Sequence, residues 1–309
     1  MGRTLKYQLK KKRSLIASKR IRRRWRANRT RPRSWSLASA RCVGSSHLQS
    51  DTPCQDWAST STFDNGDVAI ALADGAGSAK FSHYGSSLVV RRISKLISEH
   101  FDEAFGGAQE KTLFKKRLIS QLQIDLNELA KLGIDLPDSE RDRHDAPSRS
   151  KLLLVPCDMA DLACTALCVV VRGNRYIAVH VGDGVIGAEV SRRGKISLEI
   201  LSMPDNGEFA NETYFVTSRK ALESSRLITG RIDNGRKQIT GFILMSDGPE
   251  ASLYNKRESS LAPACSKLLA ACRKMSEDDM CAQLENTLKN VIAKKTSDDC
   301  SLALMALDD

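Results

Sequence analysis

The sequence predicts an α+β protein built in layers. Short apolar runs typical of strands are interrupted by pairs of helices, in the order strands, helix pair, strands, helix pair, strand. A doubly wound parallel sheet requires strands and helices to alternate, so this segregation argues against it. Composition agrees, because 41% of the 309 residues are hydrophobic, enough to bury a core and too many for a wholly disordered chain.

The first predicted strands flank a polar loop. Residues 35–40 alternate between apolar and polar side chains, and residues 44–53 are rich in glycine, serine and aspartate. Residues 68–73 form a continuous apolar run that ends at Asp74-Gly75. Runs bounded in this way are typical of buried strands.

A helix pair follows these strands. Leucine, valine and isoleucine recur at helical spacing over 88–97 and again over 113–129, where Gly133 ends the second helix. Residues 134–151 are polar and contain two prolines, which predicts a surface insertion or lid-like loop.

The second half of the chain repeats the arrangement. We expect helices over 261–275 and 276–294, the latter opening on a capping box at Ser276 and Asp279, and a final strand over 301–307. The predicted strands before those helices are 163–171, 176–181, 185–190, 214–217 and 238–245.

Charge is distributed unevenly along the chain. Residues 1–41 contain 16 lysines and arginines and no acidic residue, whereas the remainder carries a net charge of −5. We therefore divide the chain into a basic arm, 1–34, and a body, 35–309. We expect the arm to be disordered because its like charges repel. The arm is suited to nucleic acid or other acidic surfaces, and its composition is also typical of an organelle transit peptide.

Cysteine usage and hydropathy bear on location. The nine cysteines are odd in number, form no CxxC pair and lie mostly in apolar stretches, which indicates a reducing compartment. No apolar run approaches the roughly 20 residues that a membrane-spanning helix needs. These observations predict a cytoplasmic protein with no membrane span.

Aspartate recurs at the ends of apolar strands. Asp74, Asp183 and Asp247 each follow such a run and precede glycine, Asp298 precedes the final strand, and Asp56 lies near the first strands. One Asp-Gly is typical of a hairpin turn, but carboxylates converging from several strand ends repel one another unless cations hold them. Oxygen ligands without histidine or cysteine favour Mg²⁺ or Mn²⁺.

At these residues the sequence resembles the metal-dependent protein phosphatases of the PPM, or type 2C, family. The opening Gly44-Ser45-Ser46-His47 followed by Cys54-Gln55-Asp56 is similar to the bacterial branch of that family. The other matching stretches, in the family's order, are Ala73-Asp74-Gly75-Ala76-Gly77, Cys164-Thr165-Ala166-Leu167, Val181-Gly182-Asp183-Gly184, Met245-Ser246-Asp247-Gly248 and Ser297-Asp298-Asp299-Cys300-Ser301.

The resemblance implies a fold and a set of roles. The fold is a four-layer αββα sandwich of two antiparallel sheets flanked by helix pairs. Asp74 is expected to bridge two Mg²⁺ or Mn²⁺ ions, with the carbonyl of Gly75 on the second ion. Asp247 and Asp298 complete the shell of the first ion, and Asp56 acts near the second ion through water. A third, more weakly held ion corresponds to Asp183 with Asp247.

This sequence departs from eukaryotic members of the family at three positions. It has Gln55 where they have an acidic residue, Asp51 where they have a phosphate-binding arginine, and Ala76 where they have a histidine proposed as general acid. His47 or Lys80 is a candidate phosphate contact. His47 or His83 is a candidate proton donor.

The predicted activity is that of a serine/threonine phosphoprotein phosphatase. A water that bridges two Mg²⁺ or Mn²⁺ ions attacks the phosphorus in line, with Asp74, Asp247, Asp298 and His47 as the catalytic residues. The partner is a protein phosphorylated by a serine/threonine kinase. Two alternatives stay open: a pseudophosphatase that binds phosphoproteins without hydrolysis, and a nucleic-acid-associated protein that acts through its basic arm.

Overall fold

The fold is described from a computed structural model, which covers residues 34–135, 154–204 and 213–308. The predicted basic arm therefore lies outside the described residues except for Ser34. Most of the insertion predicted over 134–151 also lies outside the described residues. Its first two residues, Ile134–Asp135, form a described strand.

Fourteen strands are described, in two large sheets and two short ribbons. They are β1 (Trp35–Cys42), β2 (Trp57–Thr62), β3 (Val68–Ala73), β4 (Ile134–Asp135), β5 (Leu154–Val155), β6 (Ala166–Arg172), β7 (Arg175–Val181), β8 (Val185–Arg192), β9 (Lys195–Ser202), β10 (Arg226–Arg231), β11 (Gln238–Met245), β12 (Tyr254–Asn255), β13 (Ser260–Leu261) and β14 (Cys300–Leu307). The described α-helices are α1 (Ser45–Ser50), α2 (Ser82–Glu99), α3 (Ala108–Leu132), α4 (Ala221–Ser224), α5 (Glu250–Leu253), α6 (Ala264–Cys272) and α7 (Glu277–Thr287).

Each large sheet has five strands, and every described pair is antiparallel. The first sheet has the order β1-β14-β11-β8-β9 and the second has the order β10-β7-β6-β3-β2. The ribbon β4–β5 joins the two ends of the insertion. The first and last strands of the body are therefore neighbours, although β1 and β14 lie at opposite ends of the sequence.

Three apolar cores hold four layers together. Leu72 and Leu167 of the second sheet pack with Phe242 and Met305 of the first, so the two sheets face each other. Helices α2 and α3 cover the outer face of the second sheet, and α6 and α7 cover the outer face of the first. This arrangement confirms the predicted four-layer αββα sandwich of two antiparallel sheets between helix pairs.

Helix boundaries follow the signals in the sequence. Helix α3 ends at Gly133, whose φ of 96° suits a residue without a Cβ atom. Helix α7 begins after Ser276, whose hydroxyl accepts the backbone N–H of Asp279 at 3.2 Å. Helix α7 is shorter than predicted, because a π-helical turn replaces it over Leu288–Ile292.

The sequence prediction missed the four two-residue strands of the short ribbons and three strands of the large sheets, and all three of the latter lie at sheet edges. Strands β2, β9 and β10 each have one neighbour, and most of their side chains are half-buried or exposed. An edge strand needs few apolar residues, so its sequence carries a weak periodic signal. The strand predicted over 214–217 is wrong, because these residues form a non-strand segment and a turn.

No helix within the described ranges is long and apolar enough to cross a membrane.

Candidate metal centre

The predicted site residues lie where strands of both sheets begin or end. In the second sheet, Trp57 pairs with Ala73, so Asp56 and Asp74 stand side by side just beyond the paired residues. The N–H of Asp74 donates to the hydroxyl of Thr165 at 2.8 Å, and the N–H of Thr165 donates to the carbonyl of Asp74 at 2.8 Å. The end of β3 is thereby fixed to the segment that leads into β6.

The first sheet brings further aspartates to the same end of the sandwich. Met245, at the end of β11, pairs with Leu302 on one side and Val185 on the other. Asp247 therefore follows β11 at the edge where β14 and β8 begin. Asp298 precedes β14 and Asp183 precedes β8 at that edge.

The carboxylates at this end of the sandwich act on one another electrostatically. Burial raises the pKa of Asp74 well above its ordinary value, and repulsion by Asp56, Asp247 and Asp183 raises it further. Burial likewise raises the pKa of Asp247 to about 6, and Asp298 is the largest of the repelling charges. The five aspartates predicted to bind metal are thus in one electrostatic cluster.

Asp56 is the most deeply buried member of the cluster. Burial raises its pKa to about 7, although hydrogen bonds from the hydroxyls of Ser301 and Ser246 work in the opposite direction. The Ser301 hydroxyl donates to Oδ2 of Asp56 at 2.7 Å. The neighbouring charges of Asp299 and Asp247 raise the pKa further.

The other carboxylates are open to solvent to different degrees. Asp74, Asp183 and Asp247 are half-buried, and Asp298 is exposed. The Thr213 hydroxyl donates to Oδ2 of Asp183 at 2.6 Å. The aspartate cluster therefore runs from a fully buried carboxylate at Asp56 to an exposed one at Asp298.

Gly75 stands where a larger residue has no room. A Cβ atom at this position meets the carbonyl oxygen of Gln55 at 2.7 Å and the Ser82 hydroxyl at 2.8 Å. Its backbone forms an isolated bridge to Cys164. The main chain after Asp74 can therefore lie close against its neighbours only because this residue is glycine.

Two buried carboxylate oxygens suit a cation. Oδ1 of Asp56 and Oδ1 of Asp247 are both buried without a hydrogen-bond partner. A buried anionic oxygen without a partner is costly, and a divalent cation removes that cost. Within the part of the chain that the structure describes, no three acidic, histidine or cysteine side chains already form a closed ligand set. The donors are all oxygen atoms, which fits Mg²⁺ or Mn²⁺. An ion bound here would draw the carboxylates closer together.

The three departures from eukaryotic relatives have local structural explanations. Asp51 ends α1 in the left-handed conformation, with φ 54°, which aspartate tolerates better than most residues. Ala76 is buried against Ala79 and Ala163. Gln55 is buried as a neutral side chain, and its amide donates to the carbonyl of Ala79 at 3.3 Å.

The candidate substitutes for the missing groups have different surroundings. His47 lies with Nδ1 3.0 Å from Oδ2 of Asp299. The ammonium of Lys80 lies 4.8 Å from the ring centre of Phe81. The ring of His83 lies 4.3 Å from that of Tyr84, centre to centre.

Sequence reasoning missed several residues that contact the aspartate cluster or the turns that carry it. Asp299 and Ser301 lie in the same motif as Asp298, and Ser246 lies beside Asp247. Their positions next to predicted metal ligands could have identified them. His180 is different: it is buried in β7, where its ring contacts the Gly182 carbonyl at 2.8 Å. Nothing in the apolar run around His180 points to that contact.

Comparisons with known proteins agree with this architecture. Residues 43–289 match the family model described as "Protein phosphatase 2C". The "Serine/threonine-protein phosphatase 3" of Escherichia coli (strain K12) is 27% identical over 281 residues, which are 88% of this chain and 98% of that protein.

Solved structures share the fold at low sequence identity. The serine-threonine phosphatase 2C of Toxoplasma gondii aligns with a TM-score of 0.56 at 11% identity, covering 90% of this chain and 97% of that one. The serine/threonine phosphatase Stp1 of Staphylococcus aureus aligns with a TM-score of 0.53 at 15% identity, covering 89% and 96% respectively. Since the family model spans most of the body, the chain belongs to the protein phosphatase 2C family, and the phosphoprotein phosphatase class that its motifs predict is confirmed.

Proposed function

We propose that this chain is a Mg²⁺- or Mn²⁺-dependent phosphatase that hydrolyses phosphoserine and phosphothreonine in proteins. The observation that carries the proposal is the cluster of aspartates from both sheets, with buried carboxylate oxygens on Asp56 and Asp247 that have no partner. Such a cluster is costly in an empty protein and favourable around divalent cations. The substrate class rests on the name of the Escherichia coli relative.

The aspartates divide the work by position. Asp74, which is coupled to three other carboxylates, is suited to bridge two ions, with the Gly75 carbonyl beside it. Asp247 and Asp298 are suited to complete the first ion's ligands, and Asp56, held by Ser301, orients water near the second. Two divalent cations held by these residues would supply a water of lowered pKa near neutral pH and would offset the charge that develops at phosphorus.

Asp183 and Asp247 are suited to hold a third, more weakly bound ion. The two carboxylates repel each other, which raises the pKa of Asp247. The Thr213 hydroxyl on Oδ2 of Asp183 leaves the other oxygen of that carboxylate available.

The test is phosphate release from a phosphothreonine peptide with Mn²⁺, with Mg²⁺ and with chelator. We expect release with either metal, none with chelator, and a loss of at least about 100-fold in Asp74→Asn because a bridging ligand is removed. Asp64→Asn, which alters an exposed turn, is the matched control and is expected to retain wild-type activity.

The pseudophosphatase alternative has one observation in its favour. The positions of the family's arginine and histidine hold a helix-ending Asp51 and a buried Ala76, neither of which can take over the lost chemistry. A folded protein that binds the phosphopeptide but releases no phosphate with any metal identifies the pseudophosphatase.

The basic arm is tested separately. Deleting residues 1–34 is expected to leave hydrolysis unchanged, because every proposed metal ligand lies in the body. If the arm binds nucleic acid, the same deletion abolishes a salt-sensitive interaction with it.

For location and partner, we propose a cytoplasmic enzyme that reverses the action of a serine/threonine kinase. All nine cysteines are unpaired, which supports a reducing compartment. Cell fractionation with a tagged chain tests the location.

A further inference from the structure

Asp299 connects three segments beside the aspartate cluster. It is 2% exposed, and its Oδ1 accepts the N–H of Gly44 at 2.7 Å while its Oδ2 accepts the N–H of Gln55 at 2.6 Å. Oδ2 also lies 3.0 Å from Nδ1 of His47. Among the described residues, this histidine is the ion-pair partner that the structure gives Asp299.

The segment that carries His47 is firmly held. The backbone N–H and the hydroxyl of Ser46 both donate to the carbonyl of Ser297, at 3.0 and 2.6 Å. Gly44 packs so closely that a Cβ atom there lies 2.3 Å from the carbonyl carbon of Asp298. Helix α1 is therefore fixed to the loop that carries Asp298 and Asp299.

The orientation of the imidazole follows from these contacts. Nδ1 is buried 3.0 Å from Oδ2 of Asp299 and makes no hydrogen bond in the geometry of this structure. Because a carboxylate can only accept, its position favours the tautomer with the proton on Nδ1. The side chain is 16% exposed, and Nδ1 is not among its exposed atoms. A carboxylate at this distance is suited to hold the ring with Nε2 outwards, as a carboxylate orients a catalytic histidine in other hydrolases.

The pair lies next to the proposed reaction centre. Asp299 directly follows Asp298, and its charge is close enough to Asp56 to raise the pKa of that carboxyl. Ala76, at the position of the histidine in eukaryotic relatives, offers no proton. A proton donor is needed here because a serine or threonine alkoxide is a poor leaving group.

We propose, resting on the proposed phosphatase function, that His47 protonates the leaving oxygen of the phosphorylated serine or threonine and that Asp299 is the residue that positions it. As the water oxygen bonds to phosphorus, the bond from phosphorus to the side-chain oxygen breaks and its electron pair stays on that oxygen. In the doubly protonated imidazolium, the Nε2 proton passes to this oxygen, and the ring that remains is neutral, keeps its Nδ1 proton and takes up another proton from solvent before the next turnover. Inorganic phosphate and the free hydroxyl side chain are the products.

The test compares two substrates whose leaving groups differ. Nitrophenolate leaves from p-nitrophenyl phosphate without being protonated. The threonine oxygen of a phosphothreonine peptide needs a proton to leave. The quantity measured is the ratio of kcat/KM for the peptide to kcat/KM for p-nitrophenyl phosphate, with Mn²⁺. Unfolding or metal loss lowers both values alike and leaves their ratio unchanged.

We expect His47→Gln to lower this ratio about 100-fold, the usual size of a general acid's contribution. Asp299→Asn is expected to lower it by about tenfold or more. In the double variant, Asp299→Asn is expected to add nothing to the effect of His47→Gln, because a positioning residue acts only through its partner. His100→Gln, a change of a surface histidine, serves as the matched control, and His83→Gln tests the competing donor.

An unchanged ratio in His47→Gln overturns the proposal, as does a fall in the ratio for His83→Gln instead. Additive effects of the His47 and Asp299 substitutions overturn the positioning role of Asp299. If the wild-type protein hydrolyses neither substrate with any metal, the phosphatase function itself fails and this inference fails with it.

Discussion

His180 makes the fold sensitive to acid. Its ring is fully buried in β7, where Nε2 donates to the carbonyl of Gly182 at 2.8 Å and Nδ1 accepts from the Ser202 hydroxyl at 2.7 Å. Burial, and then the charge of Arg226, lowers the pKa of His180 to about 3 from an ordinary value of 6.5. Because Gly182 directly precedes Asp183, the same ring also supports the turn that carries a proposed metal ligand.

The size of the effect follows from the two pKa values. A histidine that is neutral in the fold stabilises it fully above its unfolded pKa of 6.5, and this contribution is lost as the pH falls towards 3. One pH unit below the unfolded pKa costs about 1.4 kcal/mol. The expected loss between pH 7.5 and pH 5 is therefore about 2 kcal/mol.

The assay is urea unfolding of wild type and His180→Gln at both pH values, in chelator. The glutamine amide can still donate to Gly182 but does not titrate. The raised pKa values of Asp56 and Asp247 have the opposite effect on stability, because the folded protein takes up protons at these carboxyls at a higher pH than the unfolded chain does. Both proteins contain these two residues. Their contribution cancels in the difference between the two proteins.

We expect the wild type to lose about 2 kcal/mol more than His180→Gln on acidification to pH 5. The control is His100→Gln, which removes an exposed histidine and is expected to follow the wild type. Equal losses in wild type and His180→Gln refute the reasoning, because they mean that the folded protein accommodates a proton on this ring.

Three further predictions concern the site and the core. Gly248→Ala places a Cβ atom 2.0 Å from the carbonyl oxygen of Asp299, so we expect it to cost about 3 kcal/mol of stability and most of the activity. Gly77→Ala is the control, because its Cβ atom has its nearest neighbour at 4.0 Å. We expect it to keep wild-type stability and activity in the same unfolding and phosphate-release assays. Asp74→Asn removes a half-buried carboxylate that neighbouring aspartates repel, so its free energy of unfolding in chelator is expected to rise by about 1 kcal/mol. Mn²⁺ is expected to raise the melting temperature of the wild type only. An equal Mn²⁺ shift in both proteins contradicts this prediction. Leu122→Ala empties a fully buried position on α3 and is expected to cost about 3 kcal/mol in urea unfolding; a cost under about 1 kcal/mol contradicts tight packing there.

The interior of the fold was predictable because its signals are strong. Residues 68–73 are uniformly apolar, and the structure makes them a strand with neighbours on both sides. Gly133 and Ser276 mark helix ends for reasons of local stereochemistry that do not depend on the rest of the fold. Edge strands such as β2 are half-exposed and rich in serine and threonine, so their pairing is decided by tertiary contacts that periodicity does not reveal.

The residues of the candidate site were predictable as a set, but their supporting contacts were not. Strand-end aspartates stand out in the sequence because several of them follow or precede apolar runs, whereas a single Asp-Gly is typical of a hairpin turn. The contact of Asp299 with Gly44 joins residues 255 positions apart. A pattern of spacing contains no information on such a pair, because the register of β14 against β1 alone brings them together.

The central place of β14 has a consequence for synthesis on the ribosome. This strand pairs with β1 on one side and β11 on the other, so a chain that ends before residue 300 leaves both strands with unpaired edges. Open edges of this kind invite pairing with other chains. A ribosome that stalls before β14 is complete therefore yields an aggregation-prone polypeptide. The aspartate cluster can assemble only after β14 has been translated, because Asp298 lies just before that strand.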